Sequence, residues 1–220
     1  MSEEERPFLA PPAADPALRE RQASDPYAAA GAGLPRAADV AIAAAVLIVL
    51  FPVLLAAIAL IRLDSRGPSI YRQRRVGRGG REFDLLKLRT MALGSDPVGV
   101  GTAVAAADPR VTRVGRLLRR TSLDELPNLV NVLRGEMAIV GPRPTIPSHL
   151  ERYAPHQRRR HAVRPGMTGW AQVNGRLGIS WGQRIELDCW YVEHRSLRLD
   201  LLILARTVKQ LVSGEGLDPG

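Results

Sequence analysis

Two adjacent carboxylates, Asp124 and Glu125, stand in the segment Thr121-Ser-Leu-Asp-Glu-Leu-Pro-Asn128, with Arg113, Arg116, Arg119 and Arg120 just upstream. A rigid Val140-Gly-Pro-Arg-Pro144 segment follows. Acids in so cationic a setting suit chemistry on a diphosphate. One carboxylate can act as a nucleophile and the other as a metal ligand, while the arginines offset the negative charge of the substrate. The same residues also have a plainer reading. Acidic side chains are common at helix starts, where they cap free N–H groups and meet the positive end of the helix dipole. Ser122 and Glu125 even have the spacing of a capping box.

The elements that would position these residues can be read from local pattern. Leu126, Leu129, Val130 and Leu133 follow helical spacing. Gly135 sits where a left-handed residue closes a helix, and Arg134 suits the negative end of the dipole. Pro127 is tolerated only in a first turn. Asp124 is therefore expected at the N-cap and Glu125 at the first helical position. Upstream, residues 68–76 and 82–89 flank Gly77-Arg-Gly-Gly80 and read as a β-hairpin. Lys87 and Arg89, two apart on the second strand, would share a face. The arginines at 72–81 suit either a solvated edge or anionic headgroups. Val163–Arg176 is too rich in Gly and Pro for regular structure and reads as a binding loop. Arg195–Val212 reads as an amphipathic helix with Leu201, Leu204, Ala205, Val208, Leu211 and Val212 on one face.

A net charge of +9 implies a polyanionic partner: nucleic acid, anionic lipid or a phosphorylated substrate. Lys87 and Lys209 are the only lysines, so arginine, with its bidentate fork for phosphate, carries nearly all of the positive charge. The single Cys189 rules out a disulfide framework and a cysteine-based zinc site. His149, His156, His161 and His194 show no metal-ligand spacing. Residues 1–33 are rich in Pro, Ala and charge without apolar periodicity, the composition of a disordered tail. Val40–Ile61 is an uncharged, almost wholly apolar stretch of roughly 22 residues, about 33 Å long as a helix. Pro52 lies near its middle, and Arg36 precedes it while Arg62, Arg66, Arg72, Arg74 and Arg75 follow. Basic flanks at both ends fit a helix that enters the bilayer, bends at Pro52 and returns to the same face. A kinked complete span is the alternative.

The order of segments is specific as a whole: apolar run with central Pro52, Gly67-Pro-Ser-Ile-Tyr-Arg-Gln-Arg-Arg-Val-Gly77, Lys87-Leu-Arg-Thr-Met91, Asp108-Pro-Arg-Val-Thr-Arg-Val-Gly-Arg116, the Asp124–Glu125 segment, the Pro-Arg-Pro segment, Arg164-Pro-Gly-Met-Thr-Gly-Trp-Ala-Gln-Val-Asn-Gly-Arg176, then Tyr191-Val-Glu-His-Arg-Ser-Leu-Arg-Leu-Asp200. Over residues 34–216 the chain closely resembles the bacterial sugar transferases known as monotopic phosphoglycosyl transferases. The resemblance implies transfer of a sugar 1-phosphate from a UDP-sugar to undecaprenyl phosphate with Mg²⁺. The place would be the cytoplasmic face of the bacterial inner membrane, rich in anionic phospholipid, as the first membrane step of capsule, exopolysaccharide or glycan assembly. Asp124 would be the nucleophile that forms a phosphosugar–enzyme intermediate and releases UMP, and Glu125 the Mg²⁺ ligand. Lys87, Arg89, Arg119 and Arg176 would bind phosphate, and Arg143 would hold the uridine end. Arg36, Asp39 and Pro52 would belong to the membrane element. Many members carry Ser before the helix-breaking proline, where this chain has Phe51.

The expected fold is α+β and mainly helical. A re-entrant helix-break-helix over 34–64 would precede a cytoplasmic-face catalytic domain over 65–216, with the β-hairpin, amphipathic surface helices and a short tail at 217–220. No helix-turn-helix, RNA-recognition or zinc pattern supports a nucleic-acid partner. A non-catalytic membrane scaffold would account for the anchor but not for acids set among arginines.

Overall fold

The computed structural model describes residues 31–95, 108–175 and 179–213. Almost all of the expected N-terminal tail, Arg176 and the tail at 217–220 lie outside the described residues. The chain runs through α1 (Arg36–Asp64), β1 (Ile70–Val76), β2 (Glu82–Leu88), α2 (Arg113–Arg120), α3 (Asn128–Arg134), β3 (Ala138–Val140), β4 (Gly166–Thr168), α4 (Trp170–Gly175), α5 (Trp181–His194) and α6 (Leu197–Ser213). Strands β1 and β2 form the expected antiparallel hairpin, in register from Ile70 opposite Leu88 to Val76 opposite Glu82. Strands β3 and β4 make a short parallel pair. The mainly helical α+β architecture is as expected.

Helix α1 differs from the expected helix-break-helix. It runs unbroken for 29 residues with Pro52 inside it. Proline removes one backbone hydrogen bond and crowds the preceding turn, yet the flanking bonds keep the helix continuous. Its middle faces outward: Ile48 and Val49 are 74% and 73% exposed, and Phe51 and Leu55 are exposed too. Both ends are gripped by the rest of the chain. At the start, Arg36 Nη2 donates to Val132 O at the end of α3 at 2.5 Å, and Asp39 Oδ1 accepts from the Ile139 amide of β3 at 3.0 Å. Near the other end, Ser69 Oγ donates to Ile58 O and Asp64 Oδ2 accepts from the Val114 amide of α2. Ala43 is buried in the main core with Leu129, Val132, Ile139 and Ile203. Ala57 and Ile61 pack with Leu88 and Leu118 in a second cluster.

Helix α6 leaves most of its expected apolar face uncovered and packs inward through another stripe. Asp200 and Ile203 are fully buried, whereas Leu201, Val208, Leu211 and Val212 remain exposed. The inward stripe is fixed by polar bonds. Asp200 accepts from the Leu34 amide and from Tyr191 Oη, each at 2.7 Å, and Thr207 meets Thr168 at 2.7 Å. The two helices α1 and α6 thus each present an apolar face that the domain itself does not cover.

Candidate active site

Asp124 and Glu125 lie in a short 3₁₀ turn, Leu123–Glu125, ahead of α3. The expected placement of Asp124 as a helix N-cap is therefore corrected. Pro127, lacking an N–H, occupies the cap position, and α3 begins at Asn128. Ser122 caps nothing with its side chain, so the capping box does not form. Ser122 instead takes a left-handed backbone, φ 55°, the only such non-glycine among the described residues. That reversal ends α2 and turns the chain so that the two carboxylates face the hairpin. At the far end α3 closes as expected on Gly135, φ 85°.

Strand β2 brings Lys87 to the turn. Lys87 Nζ lies 2.7 Å from Glu125 Oε1, and Arg143 Nη2 of the Pro-Arg-Pro segment lies 2.8 Å from the same oxygen. The strand is held there by Asn131 of α3, wholly buried, which accepts from the Leu86 amide at 3.0 Å and donates to Asp84 O at 2.7 Å. Helix α2 approaches the end of β2 at Gly115, where any Cβ would meet Thr90 O at 2.1 Å. This contact lets Arg119 Nε reach Thr90 Oγ1 at 2.9 Å.

The local electrostatics split the two acids. Burial lifts the Asp124 pKa above its ordinary value and Glu125 adds to the rise, against the pull of Lys87, Arg119 and Arg143. Burial also works against ionised Glu125, but Arg143 and Lys87 outweigh it and hold that carboxyl well below the usual range. Glu125 is thus a firmly ionised anchor, and Asp124 a carboxylate whose charge depends on its cationic neighbours.

Among the predicted residues, Lys87, Asp124, Glu125 and Arg143 come together, and Arg119 acts on the Asp124 charge from α2. Arg89 departs from expectation. The chain leaves β2 after Leu88, and the buried Arg89 donates to Arg66 O at 2.5 Å and Ser65 O at 2.8 Å. Its two terminal nitrogens close the end of α1, while its buried Nε has no hydrogen-bond partner among the described residues. Arg176 lies outside the described residues.

Two further polar side chains line the cleft beside Lys87, Glu125 and Arg143: Arg75 and Asn128. Burial and the nearby Arg143 lower the Arg75 pKa to about 10. Its signal was present in the sequence, because Arg75 pairs across the hairpin with Phe83, which is on the same strand face as Lys87. Asn128 is buried, and its Oδ1 has no hydrogen-bond partner among the described residues. The cleft sets the ionised Glu125 among Lys87, Arg75 and Arg143, with Asp124 next to Glu125 in the turn, and so many cations suit binding of a diphosphate.

The profile described as Bacterial sugar transferase matches residues 31–214 of this sequence. It belongs to the bacterial sugar transferase family. This sugar transferase is 46% identical over 165 residues to the uncharacterized sugar transferase EpsL of Bacillus subtilis (strain 168), covering 75% of the chain and 80% of the relative. It is 48% identical over 181 residues to a UDP-glucose:undecaprenyl-phosphate glucose-1-phosphate transferase of Caulobacter vibrioides, covering 78% and 67%. A third relative, the UDP-glucose:undecaprenyl-phosphate glucose-1-phosphate transferase of Escherichia coli (strain K12), is 42% identical over 183 residues, 80% of the transferase but 39% of that longer protein. The transferase is a phosphoglycosyl transferase enzyme by this kinship.

The donor set also fits Mg²⁺ of one kind only. No group of three or more His, Cys, Asp or Glu able to hold a metal occurs among the described residues. Mg²⁺ is commonly held by one or two carboxylates, with water and substrate phosphate oxygens completing the octahedron. Glu125 offers Oε2, since both of its ion-pair contacts fall on Oε1, and Asp124 is its neighbour.

Proposed function

We propose that this enzyme transfers a sugar 1-phosphate from a UDP-sugar to undecaprenyl phosphate, in two steps through Asp124. An Asp124 carboxylate oxygen attacks the sugar-bearing phosphorus of the donor. The bond from that phosphorus to the bridging oxygen breaks, and UMP leaves with the electron pair. A phosphate oxygen of undecaprenyl phosphate then attacks the same phosphorus. The bond to Asp124 breaks, the carboxylate is restored, and undecaprenyl-diphosphate-sugar departs. One phosphate site thus serves donor and acceptor in turn.

The observation that carries this reading is the pairing of Glu125 Oε1 with both Lys87 and Arg143 next to the burial-strained Asp124. Glu125 would hold Mg²⁺, which supplies charge neutralisation at the diphosphate. Lys87 and Arg143 converge on Glu125, where the donor diphosphate would be held. Arg119 and Lys87 favour the ionised form of Asp124, and the reactions named for the relatives supply the donor and acceptor classes. The place of action is the cytoplasmic face of the inner membrane. Support comes from the apolar middle of α1, while both of its ends hold to one domain. A bend of this continuous helix at Pro52 would let both ends stay on one side.

The test is UMP release by purified enzyme given a UDP-sugar, undecaprenyl phosphate and Mg²⁺. UMP should form only with all three in steady state. A panel of UDP-sugars with no UMP formed from any would remove the reading.

A further inference from the structure

Arg143 presents a difficulty of placement. Its side chain is 54% exposed, so packing does little to hold the guanidinium against Glu125. A long, half-solvated side chain goes where its backbone sends it, and the backbone here is unusually well tied. Arg160 Nη2 donates to the carbonyl of Arg143 at 2.9 Å. The same Nη2 lies 2.5 Å from Asp188 Oδ2 of α5, and Nη1 donates to Tyr153 Oη at 2.5 Å. Tyr153 Oη in turn donates to Thr145 Oγ1 at 3.0 Å, two residues beyond Arg143. Thr145 O accepts from the Val76 amide at 2.8 Å, and Pro142 O accepts from the Gly166 amide at 2.9 Å. Arg160 and Asp188 are 4% and 3% exposed, so this pair is shielded from solvent.

A buried ion pair seldom exists for stability alone, because well-packed apolar residues serve as well or better. Here the pair has a geometrical product: a guanidinium held on the back of the Pro-Arg-Pro segment. We propose that Asp188 and Arg160, with Tyr153, are positioning residues that set the Arg143 guanidinium at the donor-diphosphate site by fixing its main-chain carbonyl. The inference rests on the reading that Arg143 meets the donor. It makes α5, which supplies no side chain to the cleft lining, part of the substrate-binding apparatus.

The experiment is a double-mutant cycle on the full-length enzyme in detergent or lipid nanodiscs, read as kcat and KM for the UDP-sugar from UMP release. Arg143→Ala should raise KM by about tenfold or more. Asp188→Asn should raise KM by roughly tenfold with kcat changed by less than about threefold, since it disturbs the placement of a ground-state contact. In the Arg143→Ala background the same Asp188→Asn change should add less than about twofold, because the guanidinium it placed is gone. A purely structural role gives a different pattern: a lower melting temperature and a lower kcat, with the same ratio in both backgrounds. That additive result overturns the inference. If Arg143→Ala itself leaves KM and kcat unchanged, the donor-site reading fails instead, and the two failures are distinct. Should Asp188→Asn not fold, Tyr153→Phe decides, because it keeps both charges and removes one hydroxyl. It should raise KM by about threefold in the native background and leave it unchanged with Arg143→Ala. An unaltered KM for folded Tyr153→Phe overturns the inference.

Discussion

Lys87 Nζ and Glu125 Oε1 lie 2.7 Å apart, although the residues are 38 positions apart in the chain. Their side chains are 18% and 22% exposed, so the contact is made in a largely desolvated place where charge pairing is strong. It joins the hairpin to the 3₁₀ turn, and it leaves Lys87 also acting on Asp124, whose charge Lys87 supports more than any other side chain does.

The first expectation is a pH dependence. The Asp124 pKa is raised, and in the proposed mechanism only its ionised form attacks phosphorus. Activity should therefore fall as pH drops through a value above that of an ordinary aspartate. Lys87→Ala should move that acid limb to still higher pH and cut kcat/KM by about 100-fold, the usual scale for losing a charge-stabilising contact in the transition state. A pH profile of kcat/KM for both proteins checks this; an unmoved limb contradicts the coupling.

Asp124→Asn preserves shape and removes the proposed nucleophile, so turnover should drop by roughly 1,000-fold or more with the melting temperature nearly unchanged. With a UDP-sugar and Mg²⁺ but no acceptor, native enzyme should gain the mass of a sugar phosphate at Asp124, and hydroxylamine should remove it. Rapid-quench intact mass that never shows the adduct would favour direct transfer.

Glu125→Gln should act mainly through Mg²⁺ affinity. The Mg²⁺ concentration for half-maximal rate should rise about tenfold or more, with much of the rate recovered at saturating metal. A defect independent of Mg²⁺ concentration would assign Glu125 to another task.

How far these elements were legible in the sequence depends on whether local chemistry decided them. The Gly135 cap and the hairpin follow from glycine placement and alternation, and both stand where expected. Asp124 looked like an N-cap because capping preference is local, whereas Ser122 in the left-handed region and Pro127 at the cap displace the helix start to Asn128. Arg89 shared the parity of Lys87, but parity ends where a strand ends, and Leu88 is the last residue of β2. Asn131 and the Arg160–Asp188 pair carry no local signature, since their partners lie 45 and 28 residues away.

Ser122 gives a backbone prediction. A left-handed residue other than glycine costs about 1–2 kcal/mol, while glycine adds its own entropy cost of about 0.5–1 kcal/mol. Ser122→Gly should leave stability nearly unchanged. Ser122→Val should lower it by about 1–2 kcal/mol and reduce UMP release, because the turn aims Asp124. Melting temperature and activity, measured together, decide.

The membrane arrangement is tested by chemical access. With Cys189→Ser, single Ser2→Cys and Ser213→Cys proteins should both resist a membrane-impermeant maleimide in intact cells and react once the membrane is opened. Labelling of Ser2→Cys alone in intact cells would mean that α1 crosses the bilayer.

The double grip on α1 also bears on biogenesis. Arg36 and Asp39 find their partners at Val132 and Ile139, and the Leu34 amide finds Asp200 some 166 residues later. Helix α1, the first among the described residues, is thus locked only after much of the later chain has been made. Its polar start must wait for Val132 and Ile139, and the Leu34 amide just before it for Asp200, and contacts of such long range are slow to close. A version trimmed before Ser65 to make a water-soluble enzyme would lose Ala43, Ala57 and Ile61 from both apolar clusters. The catalytic half would be left with an open core, so this anchor cannot be cut away without dismantling the domain it carries.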